Sequence, residues 1–116
     1  MSRTGVLLAA HGAREPGASA QVERLAARLR ALGAADRIAA GFHLGGTGLT
    51  EALDQLDADR VLVLPLFTSE GYYTEEVLPR AVAASRRAAH ATIRQARPIG
   101  IEPTLAALVA ARARRV

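Results

Sequence analysis

Two short runs of unbroken apolar residues, Gly5-Val6-Leu7-Leu8-Ala9-Ala10 and Val61-Leu62-Val63-Leu64-Pro65-Leu66-Phe67, constrain this chain more than any other feature. A strand with one face in water alternates apolar and polar side chains, so a short run without alternation reads as a strand buried on both faces. Between the two runs the period changes. Val22, Leu25, Ala26, Leu29 and Leu32 recur at three- and four-residue steps, while Glu23, Arg24, Arg28 and Arg30 fall on the other faces. That spacing predicts an amphipathic helix over residues 18–32, stopped by Gly33. Arg37 to Phe42 reads as a second strand, and Leu49 to Leu56 as a second helix following the turn Gly45-Gly46-Thr47-Gly48. A longer helix is expected from Thr74 to Ala89, with Pro79 in its first turn or restarting it. His90 to Arg97 is a weaker fourth strand, and Thr104 to Arg115 a last helix after Pro103.

The order βαβαβαβα predicts an α/β fold: a single doubly wound domain over residues 1–116. Its four-stranded parallel sheet would carry helices on both faces, joined by right-handed crossovers. A chain of 116 residues is long enough to bury one core. No apolar run approaches the ~18–20 residues that span a bilayer, and no membrane partner is expected. The start, Met1-Ser2-Arg3-Thr4-Gly5, leads into the first strand without a small-residue cleavage site, so no signal peptide is expected. Without cysteine the chain has no disulfide, thiolate metal site or thiol nucleophile. These features together point to the cytoplasm. All 15 basic residues are arginines and the net charge is +4. Guanidinium forks suit an anionic ligand carrying carboxylates or phosphates. Aromatic residues make up only 3% of the chain and no recognition motif is present, which argues against nucleic acid. The dense run Arg112-Ala113-Arg114-Arg115 reads as a solvated helix end.

Open parallel sheets bind ligands outside the carboxyl ends of their strands. The chemically unusual residues of this chain collect there: His11, Gly12 and Arg14 after the first strand, His43 and the glycine turn after the second, and Thr68, Ser69, Glu70, Gly71, Tyr72 and Tyr73 after the third. His90 opens the fourth strand at the opposite edge and reads as structural. Each candidate also has a structural reading. A histidine ending a buried strand can simply be a hydrogen-bonding residue, Glu70 can be a turn or cap residue, and the tyrosines can be rim packing. Gly45 to Gly48 could cradle a phosphate, which leaves a flavodoxin-like phosphate or nucleotide module as a third, weaker reading, but the turn matches neither GxGxxG nor GxxxxGK[ST] and no nucleotide is expected.

The stretch Val6-Leu7-Leu8-Ala9-Ala10-His11-Gly12-Ala13-Arg14-Glu15-Pro16 resembles the opening motif of the class II tetrapyrrole chelatases of the short CbiX/SirB type, a hydrophobic strand followed by His-Gly-Ser-Arg-Asp-Pro. Val63-Leu64-Pro65-Leu66-Phe67 with Gly71-Tyr72-Tyr73-Thr74 and Leu78-Pro79 is similar to the second motif of that family. Ile99-Gly100-Ile101-Glu102-Pro103 with Leu105 and Leu108 is similar to its closing segment. The resemblance implies a flavodoxin-like or chelatase-like domain that inserts Co²⁺ or Fe²⁺, or Ni²⁺, into an anionic sirohydrochlorin-like tetrapyrrole, for cobalamin or siroheme, as a homodimer. Within that reading the expected catalytic residues are His11, Glu70 and Tyr73 and the expected substrate contacts Arg14, Ser69 and Tyr72; the expected metal set is His11 with His43 and Glu70, which stand in where this chain departs from the family pattern. Imidazole ligates borderline cations or takes up protons near neutral pH, carboxylates shuttle protons, and arginines hold the carboxylates of the macrocycle. The chain departs from the pattern at three places. The second active-site histidine of the family falls on Tyr73, its acidic residue two positions beyond Phe42 is Leu44, and its serine after His-Gly is Ala13. The tyrosine motivates an alternative of another class, a non-catalytic metal- or tetrapyrrole-binding protein of the same fold.

Overall fold

The computed structural model describes residues 2–115. Strands β1 (Thr4–Gly12), β2 (Arg37–Leu44), β3 (Arg60–Pro65) and β4 (Thr92–Gln95) form one parallel sheet in the order β2-β1-β3-β4. Helices α1 (Ala20–Ala31), α2 (Leu49–Asp54), α3 (Leu78–Ala83) and α4 (Pro103–Arg114) alternate with the strands, as the periodicity predicts. The connection from β1 to β2 and that from β2 to β3 run in opposite directions across the sheet. The order therefore reverses between β1 and β3, the place where such sheets open a crevice.

The pleat sorts the side chains. Leu7 and Ala9 of β1 and Val61 and Val63 of β3 point to one face, where they pack against Leu49, Ala52 and Leu53 of α2 and Leu78 of α3. Leu8 of β1 and Ile38 of β2 point to the other face and meet Ala26 of α1, with Val22 and Leu29 beside them. The run in β1 is thus buried on two sides, whereas in β3 Val61, Val63 and Pro65 are buried on one face while Leu62 is exposed and Leu64 half-buried on the other.

The expected helix over 74–89 is broken into three pieces. Residues Tyr73–Val77 form a π-helical turn in which the Leu78 N–H reaches back five residues to the Tyr73 carbonyl. Pro79 follows in the first turn of α3. Proline has no N–H to give the carbonyl four residues earlier, which loosens the regular register just ahead of it. At the far end Ser85 leaves the helix. Its hydroxyl donates to Asp54 at 2.6 Å, the Arg86 N–H donates to the same oxygen at 2.9 Å, and a 3-10 turn runs from Arg86 to Ala89. The second strand is longer than expected and includes His43 and Leu44, whereas the fourth is reduced to four residues.

Gly12 ends β1 at φ 72°, a conformation that strains any L side chain, and a Cβ there would strike the Leu44 carbonyl oxygen. Gly12→Ala is expected to cost at least ~2 kcal/mol, combining positive-φ strain and steric clash, read as a lowered denaturant midpoint. The Asp54 carboxyl is held below the usual carboxylate range by the Ser85 hydroxyl first and the Arg86 N–H second. A depressed folded-state pKa contributes stability above the unfolded value and loses it as pH falls through the folded one. Thermal scans from pH 5 to pH 2 should therefore show a shallower fall in melting temperature for Asp54→Asn than for the parent chain, below the ordinary aspartate range.

Candidate functional site

The alternation that builds the core continues past it. On β1 the core-facing series Leu7, Ala9 leads to His11; on β3 the series Val61, Val63, Pro65 leads on to Phe67. Ala10 pairs with Phe42 and Gly12 with Leu44, so His11 stands beside His43 on the neighbouring strand. Ala9 pairs with Pro65, which brings Phe67 level with His11 on the other side. Two imidazoles and a phenyl ring thereby form a row across the carboxyl edge, at the reversal point of the sheet.

Tyr73 closes over this row. The π turn carries its ring to 4.6 Å from His11 and 5.0 Å from His43, both edge-on, and to 5.9 Å from Phe67, nearly parallel. The two histidine rings are 5.5 Å apart. Beneath them Ala9, Ala10, Leu49, Val77 and Leu78 leave an apolar gap of only about 10 Å³. A gap so small and apolar holds no ordered water.

The hydrogen bonds of His11 define its tautomer. Its Nδ1 lies 3.0 Å from the Gly12 carbonyl oxygen, which can only accept, so Nδ1 carries the proton. In the neutral ring Nε2 is then a bare lone pair, and it accepts the Tyr73 hydroxyl at 2.7 Å. The one atom of His11 able to bind a cation or take up a proton is therefore capped by a phenol. Displacing that phenol forfeits one hydrogen bond, about 1 kcal/mol net.

The remaining predicted residues fall into two groups. Arg14, Ser69 and Tyr72 are exposed on loops of the same edge, Tyr72 with its ring 5.9 Å from that of Tyr73. Glu70 does not join the histidines. Its Oε2 accepts the Thr74 hydroxyl at 2.9 Å, and the same hydroxyl oxygen accepts the Gly71 N–H at 3.0 Å. Among the described residues no three His, Asp or Glu side chains come close enough together to hold a metal ion. The expected set His11, His43 and Glu70 does not converge: the two imidazoles are neighbours and Glu70 stands apart from them. Glu70 is engaged by the first turn of the helix that follows it. Phe67 was missed as a site residue, although the period of two along β3 was enough to place it.

A family model described as CbiX matches residues 5–116. The chain belongs to the CbiX family. Within it, a Halobacterium salinarum protein named "Probable sirohydrochlorin cobaltochelatase" is 37% identical over 76 residues, which is 65% of this chain and 26% of the relative. A multi-domain protein of Deinococcus radiodurans, noted for structural similarity to chelatases, superposes with a TM-score of 0.87 at 28% identity, over 99% of this chain and 29% of that one. The cobalt complex of the sirohydrochlorin chelatase SirB from Bacillus subtilis subspecies spizizenii shares the fold, with a TM-score of 0.75 at 22% identity over 98% of this chain and 51% of that one. The CbiX domain seen here therefore spans little more than a quarter of the first two relatives.

Removing the Tyr73 hydroxyl uncaps His11 while leaving the ring contacts in place. Tyr73→Phe should bind Co²⁺ about fivefold more tightly than the parent, from loss of a competing bond of ~1 kcal/mol. Titration followed by the visible spectrum of the bound ion measures this.

Proposed function

We propose that this CbiX domain inserts a divalent metal ion, Co²⁺ or Fe²⁺, into a sirohydrochlorin-like tetrapyrrole, a lyase-type chelation serving cobalamin or siroheme formation. The observation that carries this reading is the His11 Nε2 lone pair, oriented by Gly12 and flanked by His43, Phe67 and Tyr73 at the carboxyl edge of the sheet. Insertion exchanges two pyrrole N–H protons for one M²⁺. A neutral imidazole serves both halves of that exchange, as ligand to the incoming ion and as acceptor of an outgoing proton. His43 supplies the second imidazole. The aromatic rings of Tyr73, Phe67 and Tyr72 offer faces to the macrocycle, while Arg14 and Ser69 on the rim bind its carboxylates. Ni²⁺ has the same preference for imidazole, so the ligands alone do not rank the three metals.

One chain offers two imidazoles and no third ligand among the described residues. Two copies would double that number, and the reading therefore includes a homodimer, working in the cytoplasm. A second reading has one observation in its favour. The capped Nε2 suits a protein that binds a metal or tetrapyrrole and does not turn over.

Absorbance of sirohydrochlorin mixed with Co²⁺ or Fe²⁺ separates the two. The chelatase reading expects insertion faster than the spontaneous reaction, falling at least ~100-fold on His11→Ala, the lower range for loss of a proton-transfer group. Binding of the metal or macrocycle without any acceleration would leave the binding-protein reading and end the catalytic one.

A further inference from the structure

The turn that carries Tyr73 over His11 has a gap in its own hydrogen bonding. Within it the Leu78 N–H is given to the Tyr73 carbonyl, five residues back. The next rung of the π ladder would run from residue 79 to the Thr74 carbonyl, and residue 79 is a proline, which has no N–H. Thr74 is buried, and a buried carbonyl left without a donor costs about as much as a lost hydrogen bond. The donor comes from the far side of the domain. Gln95 Nε2 lies 2.7 Å from the Thr74 carbonyl oxygen, which can only accept. Gln95 ends β4, where pairing with Val63 sets it level with the core row of β3. It shares its face with Ile93, two residues earlier, which packs against the cluster that includes Leu78. The strand lies at the edge of the sheet and Gln95 is exposed, so core packing does not hold the side chain there. Its bond to Thr74 does.

We propose that Gln95 is a positioning residue: its amide stands in for the N–H that Pro79 lacks and keeps the π turn, and so Tyr73, over His11 Nε2. That role rests on the reading of Nε2 as the atom that meets the metal or the outgoing proton, and it sets how often that atom is free. Both polar groups of Thr74 pin the turn. The hydroxyl is engaged with Glu70 and Gly71, and the carbonyl with β4. Tyr73 directly precedes Thr74, so a turn fixed at Thr74 keeps the phenol 2.7 Å from Nε2, and uncovering that atom needs the ring to rotate alone. Without the Gln95 bond the turn can also lift as a unit, a local opening that costs less.

Acylation of the three histidines by diethyl pyrocarbonate reads this without any metal. A bare imidazole nitrogen attacks the reagent, and peptide masses identify which histidine has reacted. His90, at the opposite edge of the sheet, supplies the reference rate. Gln95→Met keeps the length of the side chain and loses the donor. Its His11 should react about fivefold faster than that of the parent chain, the open fraction gained on losing one hydrogen bond, with His90 unchanged. Gln95→Lys keeps an N–H donor on a flexible stem and should restore a rate close to the parent's. An unchanged His11 rate in Gln95→Met overturns the proposal. A rise that His90 shares overturns it as well, since that is general loosening, and an equal rise in Gln95→Lys does so by making the donor irrelevant. If His11 responds as expected in a protein that does not insert metal, the positioning role stands and the chelatase reading alone falls.

Discussion

The in-phase parallel pairing of β1 with both of its neighbours is the constraint on which everything else rests. β1 is the central partner, paired residue for residue with β2 on one side and β3 on the other. In a parallel sheet that shared phase aligns side chains of equal height on the same face. The rows that make the lower core out of leucine, valine and alanine therefore continue upward into a row of two histidines and a phenylalanine. Core and site are successive levels of one lattice. A slip of one residue in either pairing would turn every side chain of that strand to the opposite face and dismantle both together.

Much of this was legible in the sequence, and the parts that were not share a cause. The central strands announce themselves by unbroken apolar runs, although only β1 is buried on both faces. The position of His11 follows from being two residues beyond Ala9, and that of His43 from the matching count on β2. β4 was harder to delimit, since only Ile93 of its four residues packs against the apolar core and the strand sits at the edge. The break of the third helix depends on Asp54, thirty-one residues from Ser85, and no local pattern carries such a partner. The placing of Glu70 apart from the histidines was hidden for the opposite reason. A carboxylate beside a cluster of aromatic and imidazole residues looks like a ligand, yet a hydroxyl four residues away engages it first.

The exposed state of α4 was equally invisible. Its composition is that of an ordinary alanine-rich helix, and its place in the chain order suggests an ordinary fourth layer element. What sets it apart is the rigid junction before it, where buried Pro98 and the close contact of Gly100 with Thr68 fix where the helix starts and the way it points. Residues that do no chemistry can in this way decide which surfaces of a small domain are left open.

The π turn at Tyr73–Val77 has a consequence of its own. It holds one more residue per turn than the α-helix on either side of such a bulge. Deleting a single residue there would let an unbroken helix form and rotate everything upstream by ~100°. Tyr73 would then swing off His11 with its chemical identity unchanged. The cover over the imidazole is thus encoded by chain length as much as by side-chain type, and a one-residue deletion in this segment would leave His11 Nε2 exposed without changing a single side chain of the row.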